Sequence, residues 1–326
     1  MKAGHSSSRR EAVRLIGGSF ALPPAAPPRT VRTLDGASAA GHQQADLFTG
    51  EAGRRVLGPG QSIEDLVVDA GRRVLDGAGL DAGRVDRLYG YVSLGEFLFP
   101  NGLFVVHRNL GLSSRCLTVP VNGEFANLLL GIMHAWEGVT IGRSEHALVA
   151  VGSRMSHSVD PGHPLADYIS DAATAFLVGR STTGLEIVDT GTEVLSDEFG
   201  AMTMAWDPAA GRPAFRISDD SGRRAYLTTG MDGPVRLVRD LLRRHSVRPR
   251  DVTLITHQSS RLLLDHWAAR IRPYRHIDTF TEYGNMAHAS VGVTLAKHWE
   301  DLDTQYVALV GLGLGAQNIA VLLRAS

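Results

Sequence analysis

The sequence predicts an α/β protein in which strands alternate with helices and lie mostly parallel in sheets covered on both faces. Three observations carry this expectation. Short apolar runs and stretches of helical periodicity take turns along the whole chain. The 36 glycines among 326 residues supply the tight connections such a chain needs. The order of elements in the first half returns in the second, as an internal duplication would leave it.

Each element has its own reason. Leu15-Ile16-Gly17-Gly18-Ser19-Phe20-Ala21-Leu22 reads as an opening strand that stops at Pro23-Pro24. Behind Ser8-Arg9-Arg10 the same stretch imitates a twin-arginine export signal, but it is short and broken by glycine, which favours the strand. Residues 62–78 set Ile63, Leu66, Val67, Ala70, Val74 and Leu75 at helical spacing, and Gly77-Ala78-Gly79 ends that helix. Residues 87–92 follow as a buried strand. Residues 124–136 form a helix too apolar for a surface, and residues 146–152 a second buried strand. In the second half a helix over 235–244, a strand over 251–256, a helix over 287–299 and a strand over 306–311 repeat the order. The join falls near 179–195, giving halves 1–185 and 186–326. Ligands of such sheets sit beyond the carboxyl ends of the strands, where His257 and the glycine loop 311–315 are expected.

Composition excludes several classes. A net charge of −1 offers no basic stripe to nucleic acid. The single cysteine, Cys116, rules out an internal disulfide framework and fits a reducing cytoplasm. No apolar run approaches the ~20 residues that span a bilayer. The 13 histidines show no metal-ligand spacing, and neither a phosphate loop nor a dinucleotide fingerprint is present, so no metal, ATP or NAD is expected.

Two short settings hold the candidate chemistry. His257 lies in Thr-His-Gln-Ser-Ser and Asn285 in Tyr-Gly-Asn-Met-Ala-His-Ala-Ser. Each follows an apolar run and opens a new helix, so the two side chains are expected to converge in one pocket. An imidazole beside a carboxamide polarises a thioester carbonyl or manages a developing enolate. Asn285 alternatively caps the helix after it, and His288 is expected to be buried as structure. Glu124 is expected in the first turn of its helix, where the dipole favours a carboxylate. With Asn122 it is the candidate for auxiliary polar chemistry. Glu96 reads as a loop acid or a residue of the pocket entrance.

The ordered segments resemble the ketoacyl-acyl-carrier-protein synthase III (KAS III) branch of the thiolase superfamily, from about Leu15 to Arg324. Thr49-Gly50-Glu51-Ala52-Gly53-Arg54 is similar to the family's Thr-Gly-Ile-x-x-Arg, and Ser170-Asp171-Ala172-Ala173-Thr174-Ala175 to Gly-Asp-Gly-Ala-x-Ala. His257-Gln258-Ser259-Ser260 resembles His-Gln-Ala-Asn, and Gly284-Asn285 with Ala289-Ser290 resembles Gly-Asn-x-x-x-Ala-Ser. The resemblance implies a five-layered α-β-α-β-α fold of two pseudo-repeats. It implies an acyltransferase or ketosynthase of specialised metabolism, acting on coenzyme A or acyl-carrier-protein thioesters, and a homodimer. His257 and Asn285 would be catalytic, backbone N–H groups at Gly313 and Leu314 would hold the carbonyl oxygen, and Arg54, Arg55, Arg261 and Ser260 would meet the carrier or coenzyme. The family sets a nucleophilic cysteine in Cys-x-Gly-Phe at the start of a buried helix. The corresponding stretch is Val119-Pro120-Val121-Asn122-Gly123-Glu124-Phe125. Registering on Gly123 puts Val121 at the nucleophile position, and registering on Phe125 puts Asn122 there. Neither forms an acyl-enzyme. Cys116 would be a displaced nucleophile, or an inert packed thiol. Direct transfer to an amine, hydroxyl or carbon acceptor is the leading expectation. The alternatives are a decarboxylase or cyclase using the His–Asn pair, and an inactive partner in a heterodimer with a cysteine-bearing homologue.

Overall fold

The computed structural model describes residues 11–24 and 45–325, so Ser8, Arg9 and Arg10 lie outside the described residues. The chain opens on β1 (Ala12–Ala21). Helix α1 (Ile63–Ala78) starts where Ser62 Oγ accepts the Asp65 N–H at 3.0 Å, and it stops at Gly79 in the left-handed conformation. Then come β2 (Arg87–Ser93), α2 (Leu103–Asn109), β3 (Leu117–Pro120), α3 (Asn127–Thr140), β4 (His146–Ser153) and β5 (Ala172–Ser181). The second half begins with β6 (Leu185–Val194) and the hairpin β7 (Met202–Asp207) and β8 (Arg212–Ile217). Helix α4 (Asp219–Ala225) runs through a π-helical turn at Tyr226–Gly230 into α5 (Met231–Arg244). The remainder is β9 (Val252–Thr256), α6 (Arg261–Ile271), β10 (Arg275–Ile277), α7 (Phe280–Tyr283), α8 (Ser290–Lys297), β11 (Tyr306–Gly313) and β12 (Gln317–Arg324).

Ten strands form one sheet in the order β10-β9-β11-β12-β6-β1-β5-β4-β2-β3. The order contains the same arrangement twice. In the first half β3, β2 and β4 are parallel and β5 and β1 antiparallel; β10, β9 and β11 match the former, β12 and β6 the latter. The halves meet at the pairs Arg14↔Glu186 and Leu15↔Leu185. The expectation of mostly parallel sheets is corrected here, because β1–β5, β1–β6, β4–β5, β6–β12 and β11–β12 are all antiparallel. The reason is local: β11 turns into β12 through the tight turn Leu314–Ala316, and only two short 3-10 turns, with no crossover α-helix, lie between β4 and β5, so neither connection returns a strand in parallel.

Strand alternation sorts the layers. Val149, Val151, Phe176 and Val178 face a central core with Leu128 and Ile132 of α3 and Val291 and Leu295 of α8. Leu148, Ala150, Ala175 and Leu177 face the outer helices α1 and α2. In the second half Val307, Leu309, Ile319 and Val321 join the central core, while Ala308, Val310, Ala320 and Leu322 face α5 and α6. Five layers result, helices alternating with sheet, as the resemblance implied. No helix among the described residues is long and apolar enough to cross a membrane. Among the same residues no cluster of three or more His, Cys, Asp or Glu side chains is placed to hold a metal.

Candidate functional site

A cavity of about 880 Å³, counting its open mouth, lies at the carboxyl ends of β9 and β11, and both His257 and Asn285 line it. His257 is the first residue after β9. Its N–H donates to the Val310 carbonyl at 2.9 Å, which carries the β9–β11 ladder one step further and fixes the backbone. The side chain is 6% exposed, and burial pulls its pKa down to about 4, so the imidazole is a neutral base at ordinary pH. Asn285 is clamped by its backbone, whose N–H donates to Tyr168 at 2.7 Å and whose carbonyl accepts from Ser170 at 2.8 Å. Its Oδ1 accepts the Ala287 N–H at 2.9 Å, so the donor it offers the cavity is Nδ2. Asn285 is not the helix cap the alternative reading expected, since the short helix after it is capped at Met286 and α8 at Ala289; its Oδ1 holds only the turn at Ala287.

The turn before α3 corrects the sequence reading. The helix starts at Asn127, three residues after Glu124. Glu124 (φ 51°) and Phe125 (φ 92°) take left-handed backbone that a helix excludes and that side-chain-bearing residues rarely adopt. Asn127 holds the turn, its Oδ1 accepting from Gly123 N–H at 2.9 Å and Phe125 N–H at 3.2 Å. Glu124 is thus exposed, outside any helix, and bonded to Asn122 Nδ2 at 2.8 Å. Neither Val121 nor Asn122 lines the cavity, so neither stands at a nucleophile position facing it. Phe125 does line it, just ahead of the helix, with its ring edge-on to His288 at 4.8 Å.

Other expectations meet specific contacts. Leu314 lines the cavity, yet its N–H donates to the Glu124 carbonyl at 2.6 Å and is not available to a ligand; this corrects its assignment as an oxyanion donor. Gly313 also lines the cavity, and a Cβ there would come within 2.6 Å of the Gly123 carbonyl oxygen. Ser260 is fully buried and bonded to the Tyr226 hydroxyl at 2.6 Å, so it cannot meet a carrier. Arg261 forms a fork onto Asp278 at 3.0 and 3.1 Å and lies over the Phe280 ring, which gives it a structural role. Arg54 is half-buried, and Arg55 lies over the ring of Tyr283. Glu96 is exposed and absent from the cavity wall. Cys116 is packed in the outer core beside α1 and α2, and burial pushes its thiol up to about 11, so it is no displaced nucleophile. His288 is buried with neither ring nitrogen bonded.

The sequence reading missed most of the cavity wall. Met202, Phe215 and Ile217 come from the β7–β8 hairpin, Tyr226, Thr229 and Gly230 from the π-helical turn, and Glu198 from the turn at Ser196–Glu198. The alternation of Met202, Met204 and Trp206, followed by Asp207-Pro208-Ala209-Ala210-Gly211, was a legible hairpin signal. Nothing in the sequence marks the π-helical turn.

Residues 242–325 match the family model for the C-terminal part of 3-oxoacyl-[acyl-carrier-protein] synthase III. A β-ketoacyl-[acyl-carrier-protein] synthase III of Gloeobacter violaceus is 26% identical over 282 residues, 82% of this chain and 85% of that one. The chain is similar to KAS III enzymes. The same enzyme from Neisseria meningitidis serogroup C is 29% identical over 112 residues, 34% of this chain, and that match spans only 35% of the relative's length. The fold agrees over the full length with the priming β-ketosynthase of the R1128 polyketide pathway: TM-score 0.84, 22% identity, 99% of both chains. The KAS III-like fold therefore extends beyond the segment the family model matches.

Proposed function

We propose that this KAS III-like chain moves an acyl group from a coenzyme A or carrier-protein thioester directly to an acceptor, without an acyl-enzyme. The observation that carries this reading is the sharing of one cavity by His257 and Asn285, with Phe125 rather than a thiol beside them. The thioester would enter by its pantetheine arm. Asn285 Nδ2 would donate to the thioester carbonyl, with the single backbone N–H of Gly313 in support. Neutral His257 would take the proton of an amine or hydroxyl as its nitrogen or oxygen bonds to the carbonyl carbon. The C–S bond then breaks, and the imidazolium returns the proton to the leaving thiolate. No metal or redox cofactor is required. Loss of one carbonyl-oxygen donor typically lowers rate by about 10²–10³, so the remaining groups sustain catalysis without Leu314. Phe97, Leu98, Phe99 and Phe104 are exposed together on the first half, which suits the homodimer we propose. A reducing cytoplasmic setting suits the one buried thiol.

The test incubates the full chain with a panel of acyl thioesters, with and without amine and hydroxyl acceptors. Intact-mass spectrometry should find acylated acceptor and no protein adduct, and His257→Ala should abolish turnover. Unchanged turnover in that variant, or an adduct on Cys116, would refute the reading.

One observation favours a second reading, a non-catalytic partner subunit: the Glu124 carbonyl occupies the N–H of Leu314. That reading predicts inactivity alone and co-purification with a cysteine-bearing homologue.

A further inference from the structure

The cavity wall carries one charged side chain among the described residues that form it, Glu198, and no arginine or lysine. Phe48, Met202 and Phe215 line the same cavity with apolar side chains that cannot donate to a carboxylate. The Glu198 Oε1 accepts the Thr229 hydroxyl at 2.7 Å, while Oε2 is buried with no donor. A carboxylate accepts about four hydrogen bonds, and leaving a buried acceptor unfilled is costly. The backbone holds the group in place: Glu198 N–H donates to Leu195 at 3.0 Å, and Leu195 N–H donates to Ala316 at 3.1 Å, in the same loop that brings Gly313 to the cavity. Thr229 sits on the π-helical turn, where the widened coil brings Tyr226, Thr229 and Gly230 to the wall. The terminal torsion of a carboxylate is soft, so a small rotation presents either oxygen to a ligand.

We infer that Glu198 is a specificity-determining residue that holds an ammonium group of the acyl acceptor, distinct from the neutral amine or hydroxyl that attacks the thioester. This rests on the acyl-transfer reading, while ammonium recognition is itself a binding property. A charged donor is favoured over a hydroxyl because charge-assisted hydrogen bonds are roughly twice as strong as neutral ones. An anionic group is disfavoured, since no cation in the wall balances it against Glu198. The apolar side chains then take the hydrocarbon part of the same molecule. Bond making is left to His257 and Asn285, and Glu198 transfers no proton in this scheme.

The experiment is isothermal titration calorimetry of the full chain with hexylammonium chloride, hexanol and sodium hexanoate near neutral pH, repeated with Glu198→Gln. The amide keeps an acceptor for Thr229 and removes the charge. The expected order is ammonium over alcohol over carboxylate, with the ammonium bound about tenfold more tightly than the alcohol and that advantage lost in the variant. Equal binding of ammonium and alcohol by the wild-type chain, or an advantage retained in Glu198→Gln, would overturn the inference. If the variant does not fold, the wild-type order alone decides. Ammonium selectivity without acyl transfer would sink the function proposed above and leave this inference standing; transfer without selectivity would do the reverse.

Discussion

At the scale of single residues, burial decides the chemistry. His257 and His276 are pulled down to about 4 and His288 to about 3, each below its ordinary 6.5 because the interior penalises the cation. An unfolded chain takes up these protons near 6.5 and the folded chain does not. Their contribution to stability is therefore complete above pH 6.5 and is lost as pH falls through that value toward 4, at up to about 1.4 kcal/mol per pH unit for each. Urea midpoints should drop steadily across this window. His288→Leu should flatten the drop and leave stability at neutral pH unchanged or higher, since neither ring nitrogen has a partner to lose. Neutral His257 also predicts turnover with no loss between pH 8 and 6 from protonation of this base, seen as a flat kcat profile. Phe125 sets a second test. Phe125→Cys puts a thiol in the cavity beside His257 and Asn285, and intact mass should then show a covalent acyl adduct that the wild-type chain lacks.

Among elements, the turn of residues 122–125 and the loop of residues 313–316 act together, for Leu314 N–H meets the Glu124 carbonyl and Gly313 leaves no room for a Cβ against Gly123. Gly313→Ala should displace the turn that carries Phe125. A fall in transfer rate of about tenfold or more, larger than any change in substrate affinity, is the expected result in steady-state kinetics. These contacts also show where the sequence stopped being informative. The helix over 63–78 was legible because Ser62, six spaced apolar residues and Gly79 all agree. The strands at 87–93, 146–153, 252–256 and 306–313 were legible as short apolar runs. The beginning of α3 was not, because a left-handed Glu-Phe pair has no local signature and is held by Asn127 and by a loop nearly two hundred residues away. His257 and Asn285 stood out because each follows a strand or opens a helix. Glu198 and Thr229 did not, since their meeting depends on how two distant turns pack.

For the whole molecule, the repeated strand order lets two similar halves close on a shared helical layer, and the cavity lies where strands of the second half end near α3. The exposed Phe97, Leu98, Phe99 and Phe104 make the proposed homodimer testable. Phe99, 95% exposed, contributes no core packing, so Phe99→Asp should leave the thermal midpoint nearly unchanged while shifting sedimentation velocity from dimer to monomer. A wild-type chain that sediments as a monomer would remove the dimer proposal. The outermost strands carry one more consequence. β10 has three residues, and β3 has four and finishes on Pro120, which has no N–H to give. So broad a sheet would ordinarily invite runaway stacking of chains edge to edge. With rims this brief, a passing extended peptide finds little to grip, and colloidal good behaviour is written into the two shortest pieces of the ladder.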